Sequence, residues 1–363
     1  MLKYPLFYAG QVGSTFGWGV CNAYLIRELS KLTRVIHIEQ KGPERTPRQL
    51  PGHVFAPLAD HRLGLLTLAR GRFNHGYTFF ERDLTEESGV NAAKLDTIFA
   101  GCSWCGEKLA EKGIPSVVLI QGVDGMVFRP QALAPDPRRF TLFSGGKFEY
   151  RKGQDLVLVA YRELSRSHPD LHLVCAWYNQ WGFSIETMRQ SPHIRFERVD
   201  GQAWEPFMRR IFDLNEVEVG RVEMLPLLKQ GDMARIYHQT DLGVFPNRCE
   251  GGTNLVMMEY MACGKTVVAT NATGHCDILT PDNAYPLDDL AEVQFRDREG
   301  NVAAHWVEPR VEDIVSKVEA AMRSREDLAM KARKAAEDLR TFTWERAARV
   351  VHDALQRAEE RGG

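Results

Sequence analysis

The chain of 363 residues is long enough for two domains of ordinary size, and its 44% hydrophobic and 26% charged residues are typical of soluble globular proteins. A net charge of −2 argues against a general nucleic-acid-binding protein. No apolar run approaches the roughly 20 residues of a membrane span, Met1–Lys3 opens no signal peptide, and seven scattered cysteines indicate reduced thiols, so we expect a cytoplasmic protein.

The first predicted elements are a strand, a glycine-rich loop, a helix and a second strand. Apolar runs predict strands at Leu6–Ala9 and Val35–Ile38, and helical spacing predicts a helix over residues 20–32. The loop between them, GQVGSTFGWGV, lacks the spacing of the dinucleotide fingerprint G-x-G-x-x-G. This opening therefore predicts a β-α-β fold of the nucleotide-binding type without a dinucleotide site.

The segment from residue 41 to residue 75 is basic and shows no regular pattern. Its positive charges outnumber its negative charges: Lys41, Arg45, Arg48, Arg62, Arg70 and Arg72 stand against Glu44 and Asp60. Such a segment suits contact with an anionic acceptor, or peripheral contact with phospholipid at the inner face of a membrane. A solvated loop with incidental charge is the alternative interpretation.

Alternating signals continue to residue 121. The predicted elements are strands at Tyr77–Phe80, 95–100 and 117–121 and a helix over residues 104–112 capped by Ser103. Cys102-Ser-Trp-Cys105 has the CxxC spacing of redox and metal sites, but neither a second CxxC nor a nearby pair of histidines accompanies it. We interpret this motif as the end of a strand followed by the start of a helix.

After a proline-containing linker near residues 130–137, a second α/β pattern begins. The predicted strands are Phe140–Phe143, Leu171–Trp177 and Val222–Leu228, and the predicted helices are Gln154–Ser167, Met233–His238, Val311–Met322, Glu326–Leu339 and Trp344–Ala358. Residues 179–218 are irregular and rich in aromatic side chains, which favours an insertion. The alternation of strands and helices predicts a second domain with a parallel sheet.

The stretch from Asp241 to Thr270 carries the strongest local signal. It predicts, in order, a strand at Leu242–Phe245, a helix opened by Gly251 and Gly252 with Thr253 and Asn254 as cap residues, a helix end at Gly264 and a strand from Val267. A strand that leads through glycines to a helix N-terminus presents N–H groups and the positive end of the helix dipole. This arrangement predicts an anion-binding site.

Two carboxylates lie in the same stretch. Glu259 sits among methionines, where an unpaired buried carboxylate would cost several kcal/mol, so we expect it to have a partner or a ligand. Glu250 precedes the glycines and could reach across the mouth of the helix. The structural alternative is a capping Glu250 and a Glu259 that is paired with a neighbouring helix.

The sequence EGGTNLVMMEYMACGKTVVAT resembles the C-terminal donor-site motif of retaining GT-B glycosyltransferases of family 4. Eight residues separate Glu250 from Glu259, whereas seven are usual in the family, which predicts a turn with one extra residue. The resemblance implies an α/β fold of two Rossmann-like domains with parallel sheets facing an interdomain cleft. It implies an N-terminal acceptor-side domain over 1–130, a C-terminal nucleotide-sugar-binding domain over 131–340, and a helix over 341–363 that packs back on the first domain.

The resemblance also implies roles for individual residues. Lys147 and Lys152 match the two cations that hold the donor diphosphate, although surface solubilisation is an alternative. Glu250 is implied to act on the transferred sugar. The implied donor-binding residues are Gly17, Trp18, Gly19, Gly251, Gly252, Thr253, Asn254, Leu255 and Glu259, with Glu259 at the ribose and a plain tight turn as the alternative for residues 17–19. His75 and Glu81 are candidates for acceptor or sugar contacts.

The implied activity is metal-independent transfer of a sugar from a nucleotide diphosphate sugar, UDP- or GDP-linked, to a glycan, lipid-linked or small-molecule acceptor. Polysaccharide or glycoconjugate biosynthesis is the implied setting. No cofactor and no metal is expected, because the sequence has no Asp-x-Asp motif of the metal-dependent sugar-nucleotide sites. Two alternatives stay open: a GT-B nucleotide-sugar epimerase and a non-catalytic sugar-nucleotide-binding protein.

Overall fold

The computed structural model describes residues 2–38, 47–131, 135–199 and 201–362. The chain divides into two compact units. Unit 1 comprises residues 1–124, 250–255 and 341–363, and unit 2 comprises residues 125–249 and 256–340. The sequence placed the change of domain at residue 130, whereas the chain enters unit 2 at residue 125. It also assigned residues 250–255 to the second domain, but they belong to unit 1.

Unit 1 is built around a parallel sheet with the strand order β2-β1-β4-β7-β8-β9. Its strands are β1 (Leu6–Ala9), β2 (Val35–Ile38), β3 (Arg48–Gln49), β4 (His53–Ala59), β5 (Gly64–Leu65), β6 (Ala69–Arg70), β7 (Phe73–Thr78), β8 (Thr97–Ala100) and β9 (Val117–Val118). Its helices are α1 (Gly17–Leu29), α2 (Glu86–Ala92), α3 (Ser103–Glu111) and the C-terminal helix Trp344–Gly362. β5 pairs antiparallel with β4, and β3 pairs with β6 outside the main sheet.

The C-terminal helix completes the core of unit 1. Its buried face includes Val351 and Leu355, which pack in one cluster with Leu25 of α1 and Phe55 of β4. The ring of Trp344 stacks on Tyr24 of α1 with 5.2 Å between ring centres. A helix with this apolar stripe needs a partner surface, and α1 supplies it.

The prediction of an irregular segment over residues 41–75 was wrong for β4. The run HVFAPLA is apolar and almost entirely buried, and β4 lies between β1 and β7 inside the sheet. A strand buried on both faces lacks the alternation that marks a half-exposed strand, which is why pattern reading missed it. Lys41, Glu44 and Arg45 of the basic segment lie outside the described residues.

Unit 2 is built around a second parallel sheet with the order β12-β11-β10-β13-β14-β15. Its strands are β10 (Phe140–Gly145), β11 (Leu171–Ala176), β12 (Val222–Met224), β13 (Leu242–Phe245), β14 (Thr266–Thr270), β15 (Tyr285–Leu287), β16 (Leu290–Arg296) and β17 (Val302–Pro309). Its helices are α4 (Gln154–Ser167), α5 (Gly182–Ile185), α6 (Trp204–Leu214), α7 (Gln230–His238), α8 (Leu255–Ala262), α9 (Val311–Arg323) and α10 (Arg325–Leu339). The unpredicted hairpin of β16 and β17 is separate from the sheet.

Several described residues between 179 and 218 belong to the core of unit 2. Helix α6 buries Phe207 and Phe212 in the same hydrophobic cluster as Trp177, the residue directly after β11. The segment therefore contributes to stability, because burying such aromatic side chains contributes roughly 1.5–3 kcal/mol each, and its interpretation as an insertion stays a prediction. None of the described helices is both long enough and apolar enough to cross a membrane.

Candidate functional site

The first part of the candidate site is the lysine loop, residues 146–153, which connects β10 to α4 in unit 2. It leaves the carboxyl end of a central strand, where open parallel sheets bind their ligands. Two glycines shape it, because Gly146 has φ +109° and Gly153 has φ +70°, which are strained for other residues. A Cβ on Gly153 would lie 2.2 Å from the carbonyl oxygen of Pro246, so this position also allows a close backbone approach.

Gln154, the first residue of α4, fixes the shape of the lysine loop. Its Nε2 donates hydrogen bonds to the carbonyl oxygens of Lys147 (2.8 Å) and Gly146 (3.2 Å), and its Oε1 accepts from the N–H of Glu149 (3.3 Å). Gln154 is buried, so these bonds are shielded from water. The backbone that carries Lys147 is therefore held before any ligand arrives.

Both predicted lysines lie on this loop. The Nζ of Lys147 is 3.5 Å from Oε2 of Glu149 and 5.0 Å from the ring centre of Trp181, and its side chain is 41% exposed. The side chain of Lys152 passes beside Gly146, 3.5 Å from where a Cβ would be. A partly solvated amine and a second cation on one loop can approach a dianionic ligand at low cost in desolvation.

Sequence reasoning missed a buried ionic network beside the lysine loop. Arg248, fully buried, donates to both carboxylate oxygens of Asp155 at 2.9 and 2.7 Å and to Oε2 of Glu308 at 2.7 Å. It also donates to the carbonyl oxygen of Tyr150 and stacks 3.8 Å over the Tyr150 ring. Burial alone would lower the pKa of Arg248, but Asp155, Tyr150 and Glu308 together outweigh it and the pKa is raised, so the guanidinium stays charged. The arginine directly after the Pro246 turn was the available sequence signal.

This network ties the lysine loop to the chain after β13. The N–H of Arg248 donates to the carbonyl oxygen of Arg151 (2.8 Å), and Nη1 of Arg151 donates to the carbonyl oxygen of Cys249 (2.9 Å). Nη2 of Arg151 also binds Oε1 of Glu149 (2.8 Å). Arg151, a third cation between the two lysines, is thus held in structural contacts.

Glu259 lies on α8 in unit 2 and is 3% exposed. Gln230 donates a hydrogen bond to its Oε1, and the hydroxyl of Tyr237 lies 3.4 Å from Oε2. Burial raises the pKa of Glu259 to about 8, against the opposing effect of these two donors. The expectation of a partner for this carboxylate is therefore met by an amide and a phenol and not by a cation. A ribose hydroxyl would replace or join these donors.

The glycine turn, residues 250–254, belongs to unit 1 and is considered by itself. A Cβ on Gly251 would lie 2.5 Å from the carbonyl oxygen and 2.6 Å from the nitrogen of Phe80, and a Cβ on Gly252 would lie 2.8 Å from the Phe79 ring. These glycines therefore allow the turn to lie directly on the Phe79–Phe80 backbone. The prediction that they open the helix directly was wrong, because α8 begins at Leu255, whereas their role in donor binding stays a prediction.

The helix itself starts later than predicted. α8 begins at Leu255, four residues after Gly251, and Asn254 before it has φ +57°, which asparagine tolerates better than most residues. Thr253 and Asn254 are buried, Leu255 packs against the core of unit 1, and Glu250 is 5% exposed.

Gly17, Trp18 and Gly19 form the first turn of α1, so the helix begins three residues earlier than expected. Trp18 packs against Phe79 and Tyr77, with ring centres 4.5 and 5.7 Å apart. Around Gly17 there is open space for a Cβ. These residues therefore place Trp18 next to the same aromatic segment on which the glycine turn lies.

His75 is not an acceptor contact in this structure. It lies inside β7, is completely buried, and its Nε2 is 3.0 Å from Nδ1 of His53, which in turn contacts Glu359 at 3.0 Å. Burial lowers the pKa of His75 well below its ordinary value, so it is neutral in the folded protein. A predicted strand core at Tyr77–Phe80 put His75 at a strand end, but β7 spans Phe73–Thr78. Glu81, after that strand, is partly exposed and stays a candidate.

Among the residues that the structure describes, no group of three or more His, Cys, Asp or Glu side chains could hold a metal ion. The predicted Ser103 cap was wrong, because Cys102 is the N-cap residue of α3 and its Sγ accepts from the N–H of Cys105. The CxxC motif thus lies at a strand end and a helix start, as the sequence indicated.

Comparison with known proteins gives a match to one family model and matches to several solved structures. Residues 139–295 match the family model described as Glycosyl transferases group 1, which is less than half of the chain. No curated protein matches the chain by sequence.

Several solved structures share the fold over nearly their whole length. They include sucrose-phosphate synthase from Thermosynechococcus elongatus (12% identity, TM-score 0.69, 98% of this chain and 99% of that chain) and a glycosyltransferase from Rickettsia africae ESF-5 (12%, 0.69, 98% and 98%). HepE from Anabaena, in complex with UDP-glucose, is similar at 12% identity and a TM-score of 0.61, covering 97% of this chain and 99% of that chain. The fold is that of GT-B glycosyltransferases, and the group 1 match supports glycosyl transfer.

Proposed function

We propose that this chain is a retaining, family 4 type glycosyltransferase that moves a sugar from a nucleotide diphosphate sugar to a glycan, lipid-linked or small-molecule acceptor. The observation that carries the proposal is the lysine loop. It lies inside the region that matches glycosyl transferases group 1, and it presents Lys147 and Lys152 at the carboxyl end of β10. A loop that is fixed in place and carries two cations suits the donor diphosphate, which gains negative charge as it leaves the sugar.

The chemistry assigned to the two lysines is electrostatic. When the bond between the sugar and the diphosphate breaks, the leaving diphosphate gains charge, and fixed cations stabilise it more in the transition state than in the ground state. Gln154 and the Arg248 network hold the loop in place, so little reorganisation is needed at that moment. Lysine and backbone N–H groups can supply this stabilisation without a metal ion.

The two glutamates are assigned different parts of the donor. Glu259, buried beside Gln230 and Tyr237, is proposed to meet the ribose, and Glu250 is proposed to act on the sugar. The complex of HepE with UDP-glucose favours a UDP-linked donor over a GDP-linked one. Polysaccharide or glycoconjugate biosynthesis is the proposed setting.

The experiment is a two-stage assay on purified protein. Thermal unfolding with UDP, GDP and ADP sugars identifies the donor, because a ligand that binds the native state raises the melting temperature. Incubation of that donor with glycan and lipid-linked acceptors then tests transfer, and proton NMR of the product reads the anomeric configuration. The variant Lys152→Ala should bind weakly and turn over slowly, and Lys317→Ala on α9 is the matched control.

Conversion of the donor sugar with no acceptor present would indicate an epimerase instead. Donor binding without turnover under any acceptor would indicate a binding protein. An inverted product would overturn the retaining assignment alone.

A further inference from the structure

The CxxC motif that the proposed function leaves unused touches the glycine turn. The Sγ of Cys102 lies 3.2 Å from the carbonyl oxygen of Gly251, and the Sγ of Cys105 lies 3.1 Å from the same oxygen. Both thiols are buried, and both distances suit S–H donors that share one acceptor. The next acceptors are farther away, since the Sγ of Cys105 lies 3.6 Å from the carbonyl oxygen of Phe80 and the Sγ of Cys102 lies 3.9 Å from that of Glu250, so the shorter distances favour the Gly251 oxygen.

The local fold explains how the two thiols reach one oxygen. Cys102 is the N-cap of α3 and Cys105 lies one turn into the helix, so their side chains point to the same end of α3. Gly101, before them, leaves room for the turn, because a Cβ there would lie 2.0 Å from the Phe79 ring and 3.1 Å from the Gly251 oxygen. The negative end of the Gly251 carbonyl therefore lies at the positive end of a helix.

We propose that Cys102 and Cys105 are positioning residues whose thiols hold the Gly251 carbonyl and thereby fix the backbone that carries Glu250. The consequence for catalysis rests on the proposed glycosyl transfer, but the positioning of the turn does not. Without the two donors, the Gly251–Gly252 peptide unit could rotate within its packing on Phe80, and the carboxylate of Glu250 would lose its fixed direction.

The protonation state agrees with a donor role. Burial, and next the contact with Cys102, raise the pKa of Cys105 well above its ordinary value, so this thiol keeps its proton at neutral pH. A thiol that resists ionisation is a poor nucleophile and a poor metal ligand. The redox interpretation of the CxxC spacing is therefore disfavoured, and hydrogen-bond donation accounts for the same two residues.

The experiment compares four proteins: wild type, the double variant Cys102→Ala/Cys105→Ala, the double variant Cys102→Ser/Cys105→Ser, and the control Cys175→Ala. Cys175 is also buried, but it lies in β11 of unit 2, so its removal leaves a similar cavity away from the glycine turn. Hydrogen exchange of a peptide covering residues 249–256 reports on the turn without any assay of activity. Circular dichroism checks that each variant is folded.

The double alanine variant should exchange this peptide about 3- to 10-fold faster than wild type, because two weak donors are lost. The double serine variant should restore slow exchange, since a hydroxyl also donates, and Cys175→Ala should match wild type. With an identified donor and acceptor, kcat of the alanine variant should fall about 10-fold while KM for the donor changes little, as expected when a transition-state contact is misplaced.

Unchanged exchange in a folded alanine variant would overturn the proposal, and so would a serine variant that exchanges as fast as the alanine variant. If the double alanine variant does not fold, the single variants Cys102→Ala and Cys105→Ala, which each remove one donor, carry the same comparison. Faster exchange in a protein whose wild type shows no transfer would support the positioning and contradict the proposed function, so the two failures are distinguishable.

Discussion

The lysine loop and the glycine turn differ in what their glycines do, although each follows a strand and suggests anion binding. In the lysine loop, Gly146 has a positive φ angle with only the Lys152 side chain near its Cβ position, Gly153 combines a positive φ with a close approach to Pro246, and the side chain of Lys147 stays partly in water. In the glycine turn, Gly251 and Gly252 are covered, and a Cβ on either would meet Phe79 or Phe80 within 3 Å. The lysine loop is proposed to meet a charged ligand, whereas the glycine turn packs against neighbouring residues.

This difference teaches that a glycine in a motif has two physical meanings. It can supply a backbone conformation that other residues avoid, or it can remove a Cβ where two backbones meet. The two kinds of glycine should respond differently to mutation. Replacing the first kind should impair the reaction, whereas replacing the second kind should reduce packing and stability. The predictions below test that distinction, from the largest expected effect to the smallest.

Removing a lysine should have the largest effect, and it should impair donor binding and turnover but not the stability of the fold. We expect Lys147→Ala and Lys152→Ala each to lower kcat/KM by about 30- to 1,000-fold, as for loss of one oxyanion donor worth roughly 2–4 kcal/mol. Steady-state kinetics with the identified donor measures this, with Lys317→Ala as the control. The melting temperature should stay near the wild-type value. Normal turnover in both variants would show that the two lysines do not act on the donor. The proposed contrast between the lysine loop and the glycine turn would then fail.

Adding a methyl group to the glycine turn should act on stability. We expect Gly251→Ala to lower the free energy of unfolding by roughly 1–3 kcal/mol, because the new Cβ meets the Phe80 backbone, which cannot rotate away as a side chain can. Gly89→Ala in α2 is the matched control, since nothing lies within 4 Å of its Cβ position. That control should be neutral or stabilising by about 0.5–1 kcal/mol. Urea titration measures both.

An equally stable Gly251→Ala protein would show that the turn is looser than its contacts imply. The glycine turn would then resemble the lysine loop, and its glycines would need another explanation, such as contact with the donor.

The fold was largely predictable from sequence, because strands and helices of ordinary pattern carry their own periodicity. Helix α4 and strand β13 begin and end at the predicted residues. Strand β4 was missed because a fully buried strand shows no alternation, and α6 was missed because its aromatic side chains suggested an irregular surface. The sequence pattern of a helix or strand shows which of its faces is apolar but does not show which other element packs on that face.

The candidate site was less predictable than the fold. The order strand, glycine, lysine, helix at Lys147 and Lys152 is local, and the structure has that order. The covering of Gly251 by Phe80, and the position of His75 beside His53 and Glu359, depend on residues far away in the chain, which no spacing rule reports. Roles for the predicted residues stay predictions until the variants are measured.

Glu259 offers a test in which pH is the variable. The pKa of this buried carboxyl is about 8, above the ordinary value of 4.5, so the folded state keeps a proton that the unfolded state releases. Between about pH 5 and pH 8 wild-type stability should therefore fall with rising pH relative to Glu259→Gln, by up to about 1.4 kcal/mol per pH unit. Below pH 4.5 the difference in stability between the two proteins should stop changing with pH, because both the folded and the unfolded states are then protonated.

Denaturant titrations of wild type and Glu259→Gln at several pH values measure the difference directly. A difference that does not depend on pH would show that Glu259 is ionised in the folded protein. The buried helix face would then hold a charge, and it would resemble the lysine loop more than the packed glycine turn that precedes it.

The smallest expected effect belongs to chelation. If Lys147 and Lys152 supply the positive charge that the leaving diphosphate needs, then excess EDTA should leave kcat/KM within about twofold of the untreated rate, because no divalent ion completes the charge balance. The control is Lys152→Ala assayed with and without Mg²⁺ or Mn²⁺: a metal ion is strongly hydrated and demands its own oxygen ligands, so it should not replace the missing amine. Loss of wild-type activity in EDTA, restored by either ion, would mean that the open loop holds the donor only with a metal. The contrast between a loop that binds charge by itself and a turn that only packs would then no longer hold.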